Sequence, residues 1–499
     1  MSDSLDIQKK ALRDRGICVI IPTYNNESTI VDVVNRTLIQ CPDVIVVCDG
    51  CTDNTESKLG KIKDIHIVNL QHNQGKGAAL IAGFRKAKEM GFAFAITLDA
   101  DGQHFPEDIP TMLSANKKHP DAIIVGSRKG LEHVERSAGS KFANSFSNFW
   151  FAVQTGHYID DTQTGYRLYP LKQLYWLPCV TSRYEAELEL LVYASWNGVE
   201  IVTASVNVYY PTREKRVSHF RPTYDFTRIS ILNTILCVFA LIYGYPAKLF
   251  RGVRRIVYTV YSLMWFLFLS LCLITPYALV LKILGMNEKR RASLRSLLHY
   301  VAKFVLIWHG VPGTKFKVNS LTECETPALI LCNHQSYFDL MIILSQYKNV
   351  VFLTNDWVWN SPFFGFVIRN AEYYPSSMGY EELELKIKDI MHRGCNVVIF
   401  PEGTRSKDGL IHRFHQGAFK LAQNLKLDIL TTFIYGANHI LPKGRKLMRC
   451  GKMYFETSNK YSFDHFTSFA TSTMVLTSYF RKLYQNRYDE ICNMIERYE

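Results

Sequence analysis

Short β-branched runs alternate with longer amphipathic stretches between residues 17 and about 210: ICVII at 17–21, VIVVC at 44–48, IHIVN at 65–69, FAITL at 94–98 and AIIV at 122–125. Apolar runs of this length between polar loops predict strands. Segments such as 76–90, with apolar residues on one helical face and Lys or Arg on the other, predict the helices that cover them. Together they predict an α/β domain with a mainly parallel sheet. The pattern breaks near residue 229. Residues 229–247 and 256–281 carry no charged side chain, and Lys248, Arg251, Arg254 and Arg255 lie between them. Each stretch is long enough, or nearly so, to cross about 30 Å of hydrocarbon as a helix.

Two full spans would put the RGVRR linker outside, against the tendency of basic loops to stay on the cytosolic side, and Pro276 interrupts the second stretch. A monotopic or re-entrant pair dipping into one leaflet is therefore the expected arrangement, although either topology leaves both flanking domains on one side. A second α/β pattern follows Lys289, Arg290, Arg291 and Arg295, with strands predicted at ALILC (328–332), VVFL (350–353), VVIF (397–400) and ILTTFI (429–434). The predicted division is 1–228, 229–285 with membrane-associated hydrophobic helices, and 286–499.

Composition narrows the classes. With 47% hydrophobic residues and only 17 Pro, the chain is not disordered, collagenous or a small disulfide scaffold. A formal charge of +13 favours polyanions, nucleotide phosphates or an anionic membrane. The basic residues gather beside the apolar stretches rather than interleaving with aromatics, which argues against a nucleic-acid partner. The 12 Cys are scattered, and Cys48 and Cys51 lack the second pair a zinc ribbon needs, so a reducing compartment is expected. The polar N-terminus, MSDSLDIQKKALRDRG, has no apolar signal core, so the first domain is expected to stay in the cytosol.

The strand FAITL runs into Asp99-Ala-Asp101-Gly-Gln103-His104. Two carboxylates one residue apart at a strand end suit a hard divalent cation that neutralises nucleotide phosphates. PTYNNE (22–27), Asp49-Gly50 and HNQGKGAAL (72–80), with Gly75, Lys76 and Gly77, follow other strands, where α/β folds bind ligands. A nucleophilic hydroxyl acceptor would need a carboxylate base, for which Asp161 leads Asp160, Glu185 and Glu187, whereas a phosphate acceptor needs none. The basic loop 209–221, including Arg216, suits donor phosphates or anionic lipid.

The ordered set PTYNNE, CDGCTDNT, NQGKGAA, LDADGQH, GSR (126–128) and DTQTGYR (161–167) resembles family 2 glycosyltransferases of GT-A, Rossmann-like fold, and within them polyprenyl-phosphate sugar transferases, over residues 15–225. The resemblance implies transfer of a sugar from a nucleotide-sugar. It implies Pro22, Tyr24, Glu27 and Asp49 at the nucleotide, Mg²⁺ or Mn²⁺ on Asp99, Asp101 and Gln103, and Arg128 at phosphate. Arg136 and Ser140, with Arg167 and Arg216, are expected at the sugar or lipid acceptor. One departure concerns the base: the family's Glu directly after Asn25 is Asn26 here, and Glu27 comes one later.

In the second half, ALILC ends in Asn333-His334-Gln-Ser-Tyr-Phe-Asp339, and VVIF ends in Pro401-Glu402-Gly403-Thr404-Arg405-Ser406. A His five residues before an Asp lets the carboxylate hold one imidazole nitrogen while the other accepts a hydroxyl proton. NHQSYFD and FPEGTRS, with FHQGAF at 414–419, resemble the lysophospholipid (1-acylglycerol-3-phosphate) acyltransferases over about 295–480. That resemblance implies acyl transfer from acyl-CoA or acyl carrier protein, with His334 as base, Asp339 orienting it, and Glu402, Gly403, Thr404 and Arg405 shaping the acceptor site. No metal is expected there. The segment RNAEYYPSS (369–377) has Ser about where members using lysophosphatidate carry Arg, and Arg369 comes earlier.

The expected protein is a bifunctional enzyme at the inner (cytoplasmic) membrane, both catalytic domains facing the cytosol, in which a lipid is glycosylated and a hydroxyl acylated on one pathway. The alternative is two independent activities, polyprenyl-phosphate glycosylation and lysophospholipid acylation.

Overall fold

The computed structural model describes residues 2–128, 138–174, 180–209, 222–308, 311–320, 326–362, 364–467 and 472–498. The chain divides into two compact units, Met1–Arg251 with Asn493–Glu499, and Gly252–Cys492.

The first unit is built on a seven-stranded sheet. Its strands are β1 (Ile17–Thr23), β2 (Val44–Asp49), β3 (Ile65–Leu70), β4 (Phe94–Thr97), β5 (Ile123–Ser127), β6 (Arg167–Pro170) and β7 (Ile201–Ser205), in the order β3-β2-β1-β4-β6-β5-β7. In β1, Ile17, Val19 and Ile21 enter one core while Cys18 and Ile20 enter the other, all fully buried. Burial on both faces is why this strand reads as a continuous apolar run, and each such Ile or Val contributes roughly 1.5–3 kcal/mol. Helix α1 (Lys76–Glu89) packs on β1 and β2. Helices α2 (Ala138–Thr155) and α3 (Glu185–Trp196) follow. The sheet is mainly parallel, as expected, with one reversed strand: β6 lies antiparallel between β4 and β5.

The two charge-free stretches are not separate segments. They belong to one unbroken helix, α4 (Tyr224–Ile283), of 60 residues. Lys248, Arg251, Arg254 and Arg255 lie within it, so the expected re-entrant pair lacks its turn; Lys and Arg are good helix formers and do not break it. Its irregularities are two π-turns, Ala240–Gly244 and Ser270–Ile274. Pro246 and Pro276 follow them, and the wider turns relieve the clash that each ring would make with the carbonyl four residues back. Leu241, Ile242, Leu249, Phe250, Met264 and Ile283 are each at least 65% exposed. An apolar surface of this extent marks an interaction site.

The second unit carries helix α5 (Glu288–Trp308), helix α6 (Phe338–Gln346) and a second seven-stranded sheet. Its strands are β8 (Lys315–Ser320), β9 (Leu329–Cys332), β10 (Val350–Thr354), β11 (Tyr374–Pro375), β12 (Asn396–Ile399), β13 (Ile429–Tyr435) and β14 (Lys452–Tyr461), in the order β11-β10-β12-β9-β13-β14-β8. The pairs β12–β9 and β9–β13 are parallel, whereas β14 runs antiparallel to β13.

Candidate active sites

In the first unit, the loops after β1, β2 and β4 meet at the carboxyl edge of the sheet. Asp49 ends β2 almost fully buried, and its two oxygens accept the backbone N–H groups of Gln74 and Gly75, each at 2.8 Å. Its carboxylate therefore holds the Gly75–Lys76–Gly77 turn, which enters α1 through Gly75 at φ +101°. Pro22 is buried in β1. Asn25 has φ +51° and its side chain accepts from Thr52 N at 2.8 Å. The Asn26 amide donates to Thr23 and Tyr24, and the Glu27 carboxylate accepts from Asn54 N at 3.2 Å. These contacts tie the PTYNNE loop to the loop after β2.

Lys76 bridges two carboxylates: its Nζ is 2.7 Å from Asp99 Oδ1 and 2.9 Å from Glu187 Oε2, on α3. Burial alone would lower the Lys76 pKa, but the two carboxylates outweigh it and raise it, and Lys76 correspondingly holds Asp99 below the usual carboxylate range despite burial. Gly165 makes this meeting sterically feasible, because a Cβ there would lie 2.5 Å from Asp99 Oδ2 and 2.7 Å from Lys76 Nζ. His104 is buried beside them with its Nδ1 3.9 Å from Asp99 Oδ2, and burial pushes its pKa down to about 4, leaving a neutral imidazole. Asp101 lies on the turn after β4, where its Oδ1 accepts Gln103 N at 3.0 Å.

Among the described residues no cluster of three or more His, Cys, Asp or Glu gathers as a self-sufficient metal site. The donor set still fits a divalent cation completed by nucleotide phosphates. Two carboxylates project at one strand end, and buried His104 Nδ1 and Glu187 Oε1 have no hydrogen-bond partner beside them.

The remaining predicted residues divide. Arg128 and Asp161 form a two-point ion pair, so each of these side chains occupies the other. Arg167 is a correction. Fully buried, it donates to the carbonyls of Thr162, Thr164 and Glu187 and to Tyr169 Oη, which ties its guanidinium to the protein rather than to an acceptor. Glu185 is paired with Arg228 of α4. Ser140 falls in the first turn of α2, while Arg136 and Arg216 lie outside the described residues.

In the second unit, Asn333 directly follows β9 and fixes its end to β13 by exchanging two 2.8 Å hydrogen bonds with the backbone of Ile434. The next residue is thereby presented at the sheet edge. His334 Nδ1 is 2.8 Å from Asp339 Oδ2, and the same oxygen accepts the backbone N–H groups of Gln335 and Ser336. Asp339 is fully buried at the start of α6. The imidazole stacks on Phe400, centroids 4.2 Å apart, which fixes its plane. Glu402 faces inward: Oε1 accepts His334 N at 3.0 Å and Oε2 accepts His412 N at 3.3 Å. Burial pushes its pKa up to about 7, and its carboxylate supports the His334 loop from behind.

His334 opens into a cavity of about 640 Å³ also lined by Gly403, Thr404 and Arg405. One wall consists of α4 residues Ser262, Leu263 and Phe266, and others are Met341, Trp357 and Phe364. Ser376 reaches this cavity. Arg369 turns its guanidinium to the Trp359 carbonyl instead. Arg405 lies over the Tyr337 ring, and Lys443 donates to Thr404 Oγ1 at 2.7 Å. Sequence reasoning missed Phe400, Lys443 and the α4 wall. A hydrophobic stretch already explained by membrane affinity gave no signal of a second role.

The glycosyl transferase family 2 model matches residues 18–164, and the acyltransferase model matches residues 315–435. The UDP-N-acetylglucosamine–dolichyl-phosphate N-acetylglucosaminyltransferase of Methanococcus voltae is 30% identical over 220 residues, covering 40% of this chain and 88% of that protein. The polyprenol monophosphomannose synthase of Mycolicibacterium smegmatis is 33% identical over 216 residues, covering 40% and 79%. The chain belongs to glycosyl transferase family 2. Its glycosyltransferase domain is joined to an acyltransferase domain, making a two-domain transferase. That second domain is 28% identical over 160 residues to a chloroplastic 1-acyl-sn-glycerol-3-phosphate acyltransferase of Arabidopsis thaliana, covering 30% of this chain and 44% of the relative.

Proposed function

We propose that the chain is a bifunctional, membrane-associated transferase of glycolipid assembly. It transfers a sugar from a nucleotide-sugar to a lipid acceptor of the polyprenyl-phosphate kind, and an acyl group from acyl-CoA or acyl carrier protein to a lipid hydroxyl. The observation that carries this reading is the His334–Asp339 pair opening onto an apolar cavity walled by α4. A base beside a space shaped for a hydrocarbon chain suits acyl transfer between lipid-soluble partners.

For acyl transfer, Asp339 accepts a hydrogen bond from Nδ1–H and leaves Nε2 free to take the acceptor's hydroxyl proton as its oxygen attacks the thioester carbonyl. The C–S bond then breaks, and His334 returns that proton to the departing thiolate. For sugar transfer, the acceptor oxygen attacks the anomeric carbon and the bond to the nucleotide diphosphate breaks. Mg²⁺ or Mn²⁺ held by Asp99 and Asp101, with Gln103 beside them, would supply charge neutralisation for the departing diphosphate. A phosphate acceptor needs no protein base, which agrees with Asp161 being paired to Arg128. The exposed apolar surface and basic residues of α4 support attachment to the cytoplasmic membrane with both domains facing the cytosol.

The test is mass spectrometry of total lipids from cells expressing wild type, Asp101→Ala or His334→Ala. Loss of a glycolipid in the first variant and accumulation of its under-acylated form in the second places both sites on one pathway. Disappearance of unrelated lipids would instead establish independent activities, and unchanged lipids in both variants would overturn the proposal.

A further inference from the structure

The charge of the His334 cavity is one-sided. Its described lining includes the cations Arg405 and Lys443 and no carboxylate. Lys443 Nζ donates to Thr404 Oγ1 at 2.7 Å and to the Arg405 carbonyl at 2.9 Å, neutral acceptors that leave its charge uncompensated and use two of its three N–H groups. The Arg405 guanidinium carbon lies 3.7 Å from the centroid of Tyr337, so stacking holds the group flat and leaves its N–H edge for an in-plane partner. Two cations tethered to one loop, at the polar end of an otherwise mostly apolar cavity, form a site that a phosphate completes.

We propose that Lys443 is a specificity-determining residue of the acyl-transfer cavity, forming with Arg405 a subsite for a phosphate group. The proposal rests on the acyl-transfer reading. Ser376 brings no charge to the cavity, and Lys443, on the segment after β13, supplies the second cation. The phosphate has two sources: the headgroup of the hydroxyl-bearing lipid, or the phosphates of a CoA donor.

The experiment uses the full chain in lipid nanodiscs, as wild type, Lys443→Met and Lys443→Arg. Acceptors are a 1-acylglycerol 3-phosphate and the matching 1-acylglycerol; donors are acyl-CoA and the phosphate-free acyl-pantetheine. For the phosphate-bearing ligand that uses the subsite, Lys443→Met raises KM at least tenfold with kcat unchanged, and Lys443→Arg restores it. A shift confined to the acylglycerol phosphate identifies the acceptor headgroup, and one confined to acyl-CoA identifies the donor. Equal shifts for charged and neutral ligands, or none, overturn the subsite. Thermal stabilisation of His334→Ala by each phosphate ligand, with and without Lys443→Met, gives a readout independent of turnover. Stabilisation lost with Lys443→Met supports the subsite even if wild type transfers no acyl group, the result that would sink the acyl-transfer reading. Stabilisation by neither ligand, or stabilisation that survives Lys443→Met, overturns the subsite.

Discussion

Arg128 clasps Asp161 along both edges of the carboxylate, with Nη2 2.7 Å from Oδ1 and Nε on Oδ2, and Asp161 is only 2% exposed. Removing one member of such a pair leaves a buried charge uncompensated, which costs about 3–5 kcal/mol, whereas removing both costs less. Asp161→Asn and Arg128→Met should each lower the melting temperature of the glycosyltransferase domain, and the double variant should melt no lower than the worse single one. If Asp161→Asn instead abolished sugar transfer at unchanged melting temperature, while Arg128→Met remained active, Asp161 would be the base and the ion pair incidental.

Asp339 holds His334 by Nδ1 and offsets the charge the imidazole gains when it acts as a base. In Asp339→Asn, an amide oxygen in the place of Oδ2 still accepts from Nδ1–H and from the backbone N–H groups of Gln335 and Ser336, but it carries no charge. The imidazolium that forms as Nε2 takes the acceptor's proton then loses its counter-charge, and the base is weakened. Acyl transfer should fall by about 10²–10⁴ in kcat with sugar transfer within twofold of wild type. Retention of acyl transfer in steady-state assays would remove His334 from the role of base.

Legibility in the sequence followed burial and separation along the chain. β1, β2, β9, β12 and β13 were readable because they are buried on both faces and therefore almost purely apolar. β14 escaped because KMYFETSNKY carries charge; Glu456 is fully buried there, compensated by Arg487 and Tyr454. The His334–Asp339 pair was visible because five residues bridge a strand end and the first turn of a helix. Arg128 and Asp161 were each named with separate roles, since nothing local links residues 33 apart. The continuity of α4 was hidden because its basic middle resembles a linker by composition although it is helical by propensity.

Gly165 sets the approach of Lys76 to Asp99. A methyl group at this position would overlap both Asp99 oxygens, at 2.5 and 2.6 Å, and Lys76 Nζ at 2.7 Å. Gly165→Ala should cost about 1–3 kcal/mol by overpacking. It should also lower kcat/KM for the nucleotide-sugar by at least tenfold, as the Asp99 end of the site is displaced, with acyl transfer unaffected. Wild-type kinetics for the nucleotide-sugar in this variant would show that the Lys76–Asp99 contact does not shape the donor site.

Glu402 gives the acyltransferase domain a pH dependence of defined sign. Its folded-state pKa, near 7, lies above the ordinary 4.5 because burial penalises the carboxylate more than the His334 and His412 backbone N–H groups repay. Below pH 4.5 the group is protonated whether the domain is folded or unfolded and carries no penalty. As pH rises from 4.5 to 7, the unfolded chain ionises first, so stability is lost across that window and stays level above it. The full difference is on the order of 3 kcal/mol, or several degrees in melting temperature. Glu402→Gln cannot ionise, and groups common to both proteins cancel in the comparison. The melting temperature of wild type minus that of Glu402→Gln should therefore fall between pH 4.5 and 7 and then flatten. A difference that rises with pH would mean that the two backbone donors stabilise the carboxylate more than burial disfavours it.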